Sequence, residues 1–96
     1  MPTPIARKKT QDATEAELFA GSAVLANRRG MAIQNNGANV LYLSYVSGEL
    51  TTSTDNGFVL NPYEERVFDF ASPDLPQKIY GVCGTGLSTE LRIVEW

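Results

Sequence analysis

The chain has 96 residues, which fits a single domain on the usual scale of roughly 100–200 residues per domain. Hydrophobic residues make up 43% of it and charged residues 20%, a composition typical of a folded protein and too apolar for a disordered one. It contains no histidine and one cysteine, Cys83. These counts exclude thiolate zinc sites, internal disulfides and catalytic triads with a histidine base. We expect no bound metal and no cofactor.

The charges are distributed unevenly. Eight Lys and Arg residues against 11 Asp and Glu residues give a net charge of −3. Three of the cations, Arg7, Lys8 and Lys9, are consecutive, so residues 10–96 alone carry a charge of −6. An acidic body argues against nucleic acid as the main partner. The basic triplet suits a phosphate or an acidic protein surface, and the simpler alternative is a solvated chain end.

Neither a secretory signal nor a membrane span is predicted. No apolar run follows the charges at residues 7–9, as a signal peptide would require. The longest mostly apolar stretch, residues 40–46, is far shorter than the ~20 residues that cross a bilayer. We therefore expect no membrane partner. A lone thiol also fits synthesis and folding in a reducing cytoplasm.

The first quarter of the chain has few periodic signals. Residues 1–13 contain two prolines and the basic triplet, which predicts an extended N-terminal arm before a β domain at residues 14–96. Residues 12–19 can form a short helix or a strand, and we favour a strand because the rest of the chain has strand-like patterns. Residues 23–26 are apolar and precede a polar turn, so a strand is predicted there as well.

The strongest turn signal is the pair Asn36-Gly37. Both residues tolerate the positive φ of a type I′ turn, which predicts a tight hairpin between the preceding strand and residues 40–46. In that hairpin Ile33 would lie opposite Val40.

The second half alternates short apolar segments with turn residues. The polar residues 47–57 are predicted to form a long loop without structure of its own, and such loops are often functional. Further strands are predicted at residues 58–60, 66–70, 78–83 and 89–94. Seven to eight short strands predict an all-β fold, an antiparallel β-sandwich of jelly-roll type with an extended N-terminal arm.

Three segments contain residue types that occur in chemical sites. The glycines of residues 81–86 have the reverse of the dinucleotide-binding spacing, so they predict a turn instead. Cys83 is predicted to be a small buried apolar residue, because no base is available to activate its thiol. Glu64 and Glu65 form a pair of the kind that hydrolyses glycosidic bonds, although acidic residues on turns ordinarily only face solvent.

Asp55 and Asn56 offer oxygen ligands that calcium prefers, but the loop that holds them lacks the alternating acidic pattern of calcium loops. With these alternatives weighed, we predict no catalytic residue and no enzymatic activity.

Two adjacent arginines, Arg28 and Arg29, lie in a polar turn closed by Gly30. Such arginines can hold a carboxylate in bidentate geometry, either in a neighbouring chain or within the domain. The candidate carboxylates are those of Glu64, Glu65, Asp69 and the end of the chain at Trp96. Trp96 is itself predicted to anchor the chain against a neighbour. The predicted protein-interface residues are Arg7, Lys8, Lys9, Arg28, Arg29 and Trp96.

Residues 22–96 resemble small β-sandwich virion proteins of tailed bacteriophages. The family pattern is Leu-x-x-Asn-x-x-Arg-x-x-x-x-Ile-Gln-Asn-Asn, then an apolar strand ending near Tyr-Leu, a Gly-Phe-x-Leu segment, a Pro-Gly turn and a last strand ending in Glu. In that order this chain has Leu25, Asn27, Arg29, Ile33, Gln34, Asn35, Asn36, Tyr42, Leu43, Gly57, Phe58, Leu60, Pro62 and Glu95. It departs from the pattern in its compressed arginine spacing and in having Tyr63 after the proline.

The resemblance implies a non-enzymatic virion structural protein, made in the host cytoplasm and located in the virion. The expected role is capsid decoration, in which many copies bind the head lattice and tie shell subunits together. The implied partners are the major capsid protein or other virion proteins, and we expect a homo-oligomer. The alternative role is a tail or fibre adaptor, or a receptor- or carbohydrate-binding module, with exposed aromatic residues around residues 47–57.

Overall fold

The structure, a computed structural model, describes residues 4–54, 57–70 and 78–96. The candidate calcium ligands Asp55 and Asn56 lie outside these residues. The described residues form one short helix, α1 (Glu49–Thr52), and eight strands. The strands are β1 (Ile5–Gln11), β2 (Ala16–Glu17), β3 (Gly30–Asn35), β4 (Leu41–Ser44), β5 (Phe58–Leu60), β6 (Glu65–Asp69), β7 (Tyr80–Val82) and β8 (Thr89–Glu95).

The strands pair as if the whole chain were one long hairpin. The first strand pairs with the last, β2 with β7, β3 with β6, and β4 with β5, and every pair is antiparallel. Winding this double chain adds the pairs β3·β8 and β4·β7. The result is two four-stranded sheets, which we call sheet A (β1-β8-β3-β6) and sheet B (β2-β7-β4-β5). This nested order is that of a jelly roll, and the predicted all-β sandwich is confirmed.

Alternation along the strands fills the space between the sheets. In β8 buried residues alternate with exposed or half-buried ones, and from Met31 to Asn35 in β3 they alternate with half-buried ones. Successive side chains of a strand point to opposite faces. Among the described residues, thirteen buried residues form one core cluster. The members are Leu18, Ala20, Met31, Ile33, Leu41, Leu43, Leu60, Phe68, Phe70, Ile79, Cys83, Leu91 and Ile93.

Most of the predicted arm belongs to the sandwich. Residues 5–11 form β1, which pairs along its whole length with β8, from Ile5 opposite Glu95 to Gln11 opposite Thr89. Within the arm that we expected at residues 1–13, residues 5–11 are thus a strand of sheet A. β1 belongs to the sandwich because one of its faces packs inward, with Gln11 buried and Ile5 and Lys9 half-buried. The sequence did not predict this strand because it contains no apolar run there.

The predicted hairpin at Asn36-Gly37 is also wrong. The strands on either side of this pair lie in different sheets, so the chain crosses the sandwich between Asn35 and Leu41 instead of turning back within one sheet. Gly37 does not have a positive φ. It is required for a different reason, because a Cβ atom there would collide with the side chain of Thr89 and the backbone beside it.

The crossover is fixed by the buried amide of Asn35. Its Nδ2 donates to the main-chain oxygens of Asn39 (2.8 Å) and Leu60 (3.0 Å). Its Oδ1 accepts hydrogen bonds from the Gly37 N–H (3.2 Å) and the Thr89 hydroxyl (2.7 Å). The two donors and two acceptors of the amide are all used, and they join strands of both sheets to the crossover.

Two further segments differ from the sequence prediction. Residues 23–26 form a loop rather than a strand. Residues 49–52, expected in an unstructured loop, form α1 instead. The carboxylate of Glu15 stabilises this helical turn by accepting the N–H groups of Gly48 (2.8 Å) and Leu50 (3.1 Å), a contact between residues more than 30 positions apart. The strand favoured within residues 12–19 is present as β2.

Tyr63 occupies a backbone conformation that suits glycine. It follows Pro62 in a turn closed by a bond from the Glu64 N–H to the Asn61 oxygen (3.1 Å), and its φ is 67°. A positive φ at this turn position is the reason that glycine usually follows such a proline. The departure Pro-Tyr from the family pattern Pro-Gly therefore places a strained residue in the turn.

Replacing Tyr63 tests this strain. Tyr63→Ala and Tyr63→Gly both remove the ring, but only alanine keeps a Cβ atom in the left-handed region. We expect the glycine variant to be more stable than the alanine variant by about 1 kcal/mol, measured by urea denaturation. The control is Ala38→Gly, at an exposed position without positive φ, where glycine should lower stability. A Tyr63→Ala variant as stable as Tyr63→Gly would contradict the prediction.

Candidate protein interface

A buried ion pair closes one end of the sandwich. The Arg28 guanidinium donates to Glu95 Oε2 at 2.8 Å, and the two side chains are 3% and 0% exposed. The other Glu95 oxygen accepts the Ala20 N–H (2.6 Å), and Oε2 also accepts the Leu25 N–H (3.2 Å). The carboxylate at the end of β8 therefore holds both ends of the loop that precedes Arg28.

Arg28 is surrounded by core groups as well as by its counterion. Its guanidinium lies over the Phe70 ring, 4.7 Å from the centroid, and reaches the Leu18 oxygen (3.4 Å) and the Met31 sulfur (3.6 Å). Burying two charges is costly unless they are paired and hydrogen-bonded. Here the charges are paired, and the surrounding contacts fix their positions.

The structure separates the two adjacent arginines. Arg28 holds a carboxylate within the domain, as one of our hypotheses proposed, but the partner is Glu95 and not one of the four candidates. Arg28 is enclosed and presents no exposed surface in this chain. Arg29 is exposed. Its N–H donates to the Trp96 oxygen (2.5 Å), and its own oxygen accepts the Phe70 N–H (2.8 Å).

Trp96 is positioned on the outer face of sheet A. It exchanges two main-chain hydrogen bonds with Gly30, both of 3.1 Å. Its ring lies against Gly30, where a Cβ atom would be only 2.5 Å from two ring carbons. Glycine at residue 30 thus allows the ring to lie flat on the sheet, and the ring remains 37% exposed.

An apolar row crosses the same face beside Trp96. Ala6 lies opposite Val94, Val94 opposite Ala32, and Ala32 opposite Val67. These four residues come from all four strands of sheet A. Ala6 is exposed and Val67 is 60% exposed, whereas Ala32 and Val94 are half-buried. Together with Trp96 they form a contiguous surface, which we call the Trp96 patch. Exposed apolar surfaces that are larger than scattered single residues mark protein–protein contacts.

Charged residues border the Trp96 patch. The next row across sheet A is Lys8, Arg92, Gln34 and Glu65. Asp69 lies opposite Gly30 on the other side of the patch. An apolar centre with a polar rim is the usual anatomy of a protein interface.

The basic triplet lies next to this face. The Lys8 ammonium is 3.5 Å from the Glu90 carboxylate, on the exposed side of β1. Lys9 points the other way, donates to the Gly21 oxygen (2.7 Å) and lies over the Phe19 ring. Arg7 is on the same side as Lys9 and is exposed. On that side β1 and residues 20–26 border an open groove of about 660 Å³.

The other residues considered for chemistry, Glu64, Glu65 and Cys83, are engaged in the fold or lie on the outer face of a sheet. The Glu64 carboxylate accepts the Asn61 N–H (2.6 Å) in its own turn, and Glu65 lies on the outer face of sheet A.

Cys83 is buried and its thiol donates to the Gln11 oxygen (3.4 Å). Burial raises the pKa of this thiol, and the negative charge of Asp12 raises the pKa further. Within residues 4–54, 57–70 and 78–96, no cluster of three or more His, Cys, Asp or Glu side chains could hold a metal ion.

Sequence reasoning missed the structural roles of two buried polar residues, Glu95 and Asn35. Glu95 continues the inward series of β8 after Thr89, Leu91 and Ile93, and a charge at an inward position was the available signal for a buried partner of arginine. Asn35 was interpreted only as part of a turn. The Trp96 patch was missed because it depends on registers between strands distant in sequence.

Comparison with known proteins gives no relative. No family model matches the chain, and neither curated proteins nor solved structures match it. Among the described residues, no helix has the length and apolar character needed to cross a membrane.

The ion pair can be tested by a double-mutant cycle. We expect Arg28→Met or Glu95→Gln alone to lower the free energy of unfolding by about 3–5 kcal/mol, because each leaves an uncompensated buried charge or polar group. The double variant should lose clearly less than the sum. Urea denaturation followed by the fluorescence of the single tryptophan measures these values. The control cycle, Lys8→Gln with Glu90→Gln, removes an exposed pair and should couple by less than about 1 kcal/mol.

A coupling energy between Arg28 and Glu95 no larger than that of the exposed control pair would contradict the structural role assigned to the buried pair.

Cys83 should make stability depend on pH in the alkaline range. Its pKa is raised in the folded state, so the contribution is fully present below the pKa of an exposed thiol and is lost as pH rises through the folded pKa. Relative to Cys83→Ala, the native chain should lose stability with a slope of at most about 1.4 kcal/mol per pH unit. Denaturation curves of both proteins between neutral and alkaline pH measure the difference, and a constant difference would contradict the prediction.

Proposed function

We propose that this chain is a non-enzymatic structural protein of a tailed-bacteriophage virion, and that it decorates the head by binding shell subunits. The observation that carries the proposal is the Trp96 patch, an apolar surface of four strands with a charged rim. The family resemblance supplies the virion context. The jelly-roll order is in keeping with it, since viral capsid domains are among the proteins that use this fold, although a fold alone does not define a function.

The residues that carry the resemblance have structural roles in this chain. Asn35 links the sheets, Glu95 holds Arg28, and Ile33 and Leu60 are core residues. A pattern made of such residues favours a shared architecture rather than a shared reaction. A role in assembly fits this pattern better than catalysis does.

The proposed mechanism uses many copies with modest interfaces. In each copy the Trp96 patch would pack on a shell subunit, with the Trp96 ring and Val67 as the apolar contacts and the charged rim around them. The negative charge of the remaining body would face solvent and keep decorated particles apart. We also predict that the chain forms a homo-oligomer. The sedimentation coefficient of the isolated protein measures whether it does.

One observation favours the second candidate, a tail or fibre adaptor that binds carbohydrate. Tyr63 is 74% exposed and is held at a φ of 67°, and a strained exposed residue is a reason to consider a function. Tyr45 is exposed as well, and its ring packs against Phe58 at 5.5 Å. Exposed aromatic rings of this kind suit stacking on a sugar.

The abundance of the protein in particles distinguishes the two roles. We expect quantitative peptide mass spectrometry of purified particles to find copies comparable in number with the major shell protein, as a decorated lattice requires. A few copies per particle would overturn decoration and favour the adaptor. Glycan binding lost in Tyr63→Ala would then support that second role. Complete absence from particles would overturn both roles.

Two matched variants test the Trp96 patch. Val67→Glu places a charge in its centre on the outer face of sheet A. Val59→Glu places the same charge on the other sheet, at a residue that is also exposed. We expect Val67→Glu to reduce occupancy on particles at least about tenfold, from the cost of burying an unpaired charge. Val59→Glu should occupy particles normally. Equal occupancy by the two variants would contradict the assignment of the patch.

A further inference from the structure

β1 is the edge strand of sheet A and has a neighbour, β8, on one side. The hydrogen bonds of β8 establish which groups of β1 face outward. Trp96 and Gly30 each donate a main-chain N–H to the other's oxygen, and the Asn36 N–H donates to the Glu90 oxygen (2.8 Å). Bonding to the two neighbours alternates along an antiparallel strand. The even-numbered residues of β8 therefore bond β3, and the odd-numbered ones bond β1.

The register transfers this alternation to β1. Because Arg7 lies opposite Ile93, the odd-numbered residues of β1 bond β8. The N–H and C=O groups of Ala6, Lys8 and Thr10 consequently point to the open edge. Within the part of the chain that the structure describes, no main-chain hydrogen bond reaches these three residues from that side. The Ala6 oxygen accepts a side-chain hydrogen bond from the Arg7 guanidinium (2.8 Å). Such a row of groups is a template for another strand.

The surroundings of this edge have the opposite charge to the rest of the protein. Among the described residues that line the groove beside β1 are Arg7, Lys8 and Lys9, and none is acidic. Ile5, Val24 and Leu25 supply apolar walls. A cationic edge with an apolar floor, on a chain with a net charge of −3, is complementary to an acidic segment that also carries apolar side chains.

A second copy of the chain fits this edge badly. Antiparallel pairing of β1 with itself about Lys8 would place Lys8 opposite Lys8 and Arg7 opposite Lys9. Like charges directly opposite each other destabilise a strand pair, and lysine on an edge is a common device against self-association. Nucleic acid is disfavoured as well, because the charge of −6 on residues 10–96 repels a long polyanion.

We propose that the open edge of β1 binds an extended acidic segment of a partner protein, which adds to sheet A as a fifth strand. The proposal rests on the proposed function, in which the chain binds other virion proteins, and it identifies the chemistry of the partner. Main-chain hydrogen bonds to Ala6, Lys8 and Thr10 supply affinity, as in other strand additions. Acidic side chains on the groove side meet the Arg7 guanidinium, which leaves the Ala6 oxygen when the added strand pairs there. The Lys9 ammonium, held at the Gly21 oxygen, adds positive charge beside them. The added strand also extends the outer face beside Ala6, in continuity with the Trp96 patch.

The first test uses the full chain and a synthetic peptide. The probe is a blocked heptapeptide in which Glu alternates with Val, and the matched peptide has Gln in place of Glu. Binding is measured by amide chemical shifts and hydrogen exchange. We expect the Glu peptide to bind at least about tenfold more tightly than the Gln peptide at low salt. It should protect the amides of Ala6, Lys8 and Thr10 from exchange.

Two kinds of variant separate backbone pairing from charge. Ala6→Pro and Thr10→Pro each remove one outward N–H without changing the charge, at edge positions that tolerate proline. Each should weaken peptide binding about fivefold or more, the value of one lost hydrogen bond. Arg7→Glu should weaken it at least about tenfold. Arg92→Glu, the same charge change on the outer face of β8, is the control, and thermal unfolding confirms that each variant is folded.

Several outcomes would overturn the proposal. These are no binding of the Glu peptide at millimolar concentration, equal binding by both proline variants and the native chain, or equal loss in Arg7→Glu and Arg92→Glu. Protection of the same three amides by a second copy, in the absence of peptide, would also overturn it, as would tighter binding of a single-stranded DNA oligomer. Full occupancy on particles together with any of these results would leave the decoration role intact.

Discussion

The ion pair between Arg28 and Glu95 is the constraint on which the rest of this molecule depends. A carboxylate at the inward end of β8 must be satisfied from the loop that faces it, and it accepts N–H groups from Ala20 and Leu25 as well as the guanidinium. These bonds hold the loop across the end of the core. They also fix the end of β8, from which Trp96 continues onto the outer face of sheet A beside Gly30. A buried charge pair thus determines where an exposed ring is presented.

Two buried polar residues, Asn35 and Glu95, fix different parts of the chain path in the sandwich. Asn35 joins β3 to β5 and to the crossover between the sheets, while Glu95 secures the loop before β3. An apolar core alone tolerates many arrangements of similar volume, whereas a buried polar group is satisfied in only a few. Polar groups at both ends of β3 therefore select one path of the chain, and the same path creates the Trp96 patch and the open edge of β1.

The fold class could be predicted from sequence because alternation is local. Phe68 and Phe70 point inward on either side of Asp69, as their spacing predicts, and the turn at Pro62 is where the pattern placed it. Asn36-Gly37 was misinterpreted because a turn signal states that the chain bends, not which sheet the next strand joins. The strand at residues 5–11 was not predicted because β1 pairs with β8, whose opposite residues lie 78 to 90 positions further along the chain. The patch and the cationic edge could not be predicted, since both arise from such distant registers.

The nested pairing also has a consequence for the order of folding. Ile5 lies opposite Glu95, so sheet A cannot be completed until residue 95 has left the ribosome. Topologies dominated by distant pairings fold slowly, on the scale of milliseconds to seconds. Until β8 inserts between β1 and β3, Arg28 has no counterion at the core and must remain hydrated. Insertion of the final strand and desolvation of the charge pair are therefore one event, and an incomplete chain cannot bury its arginine prematurely.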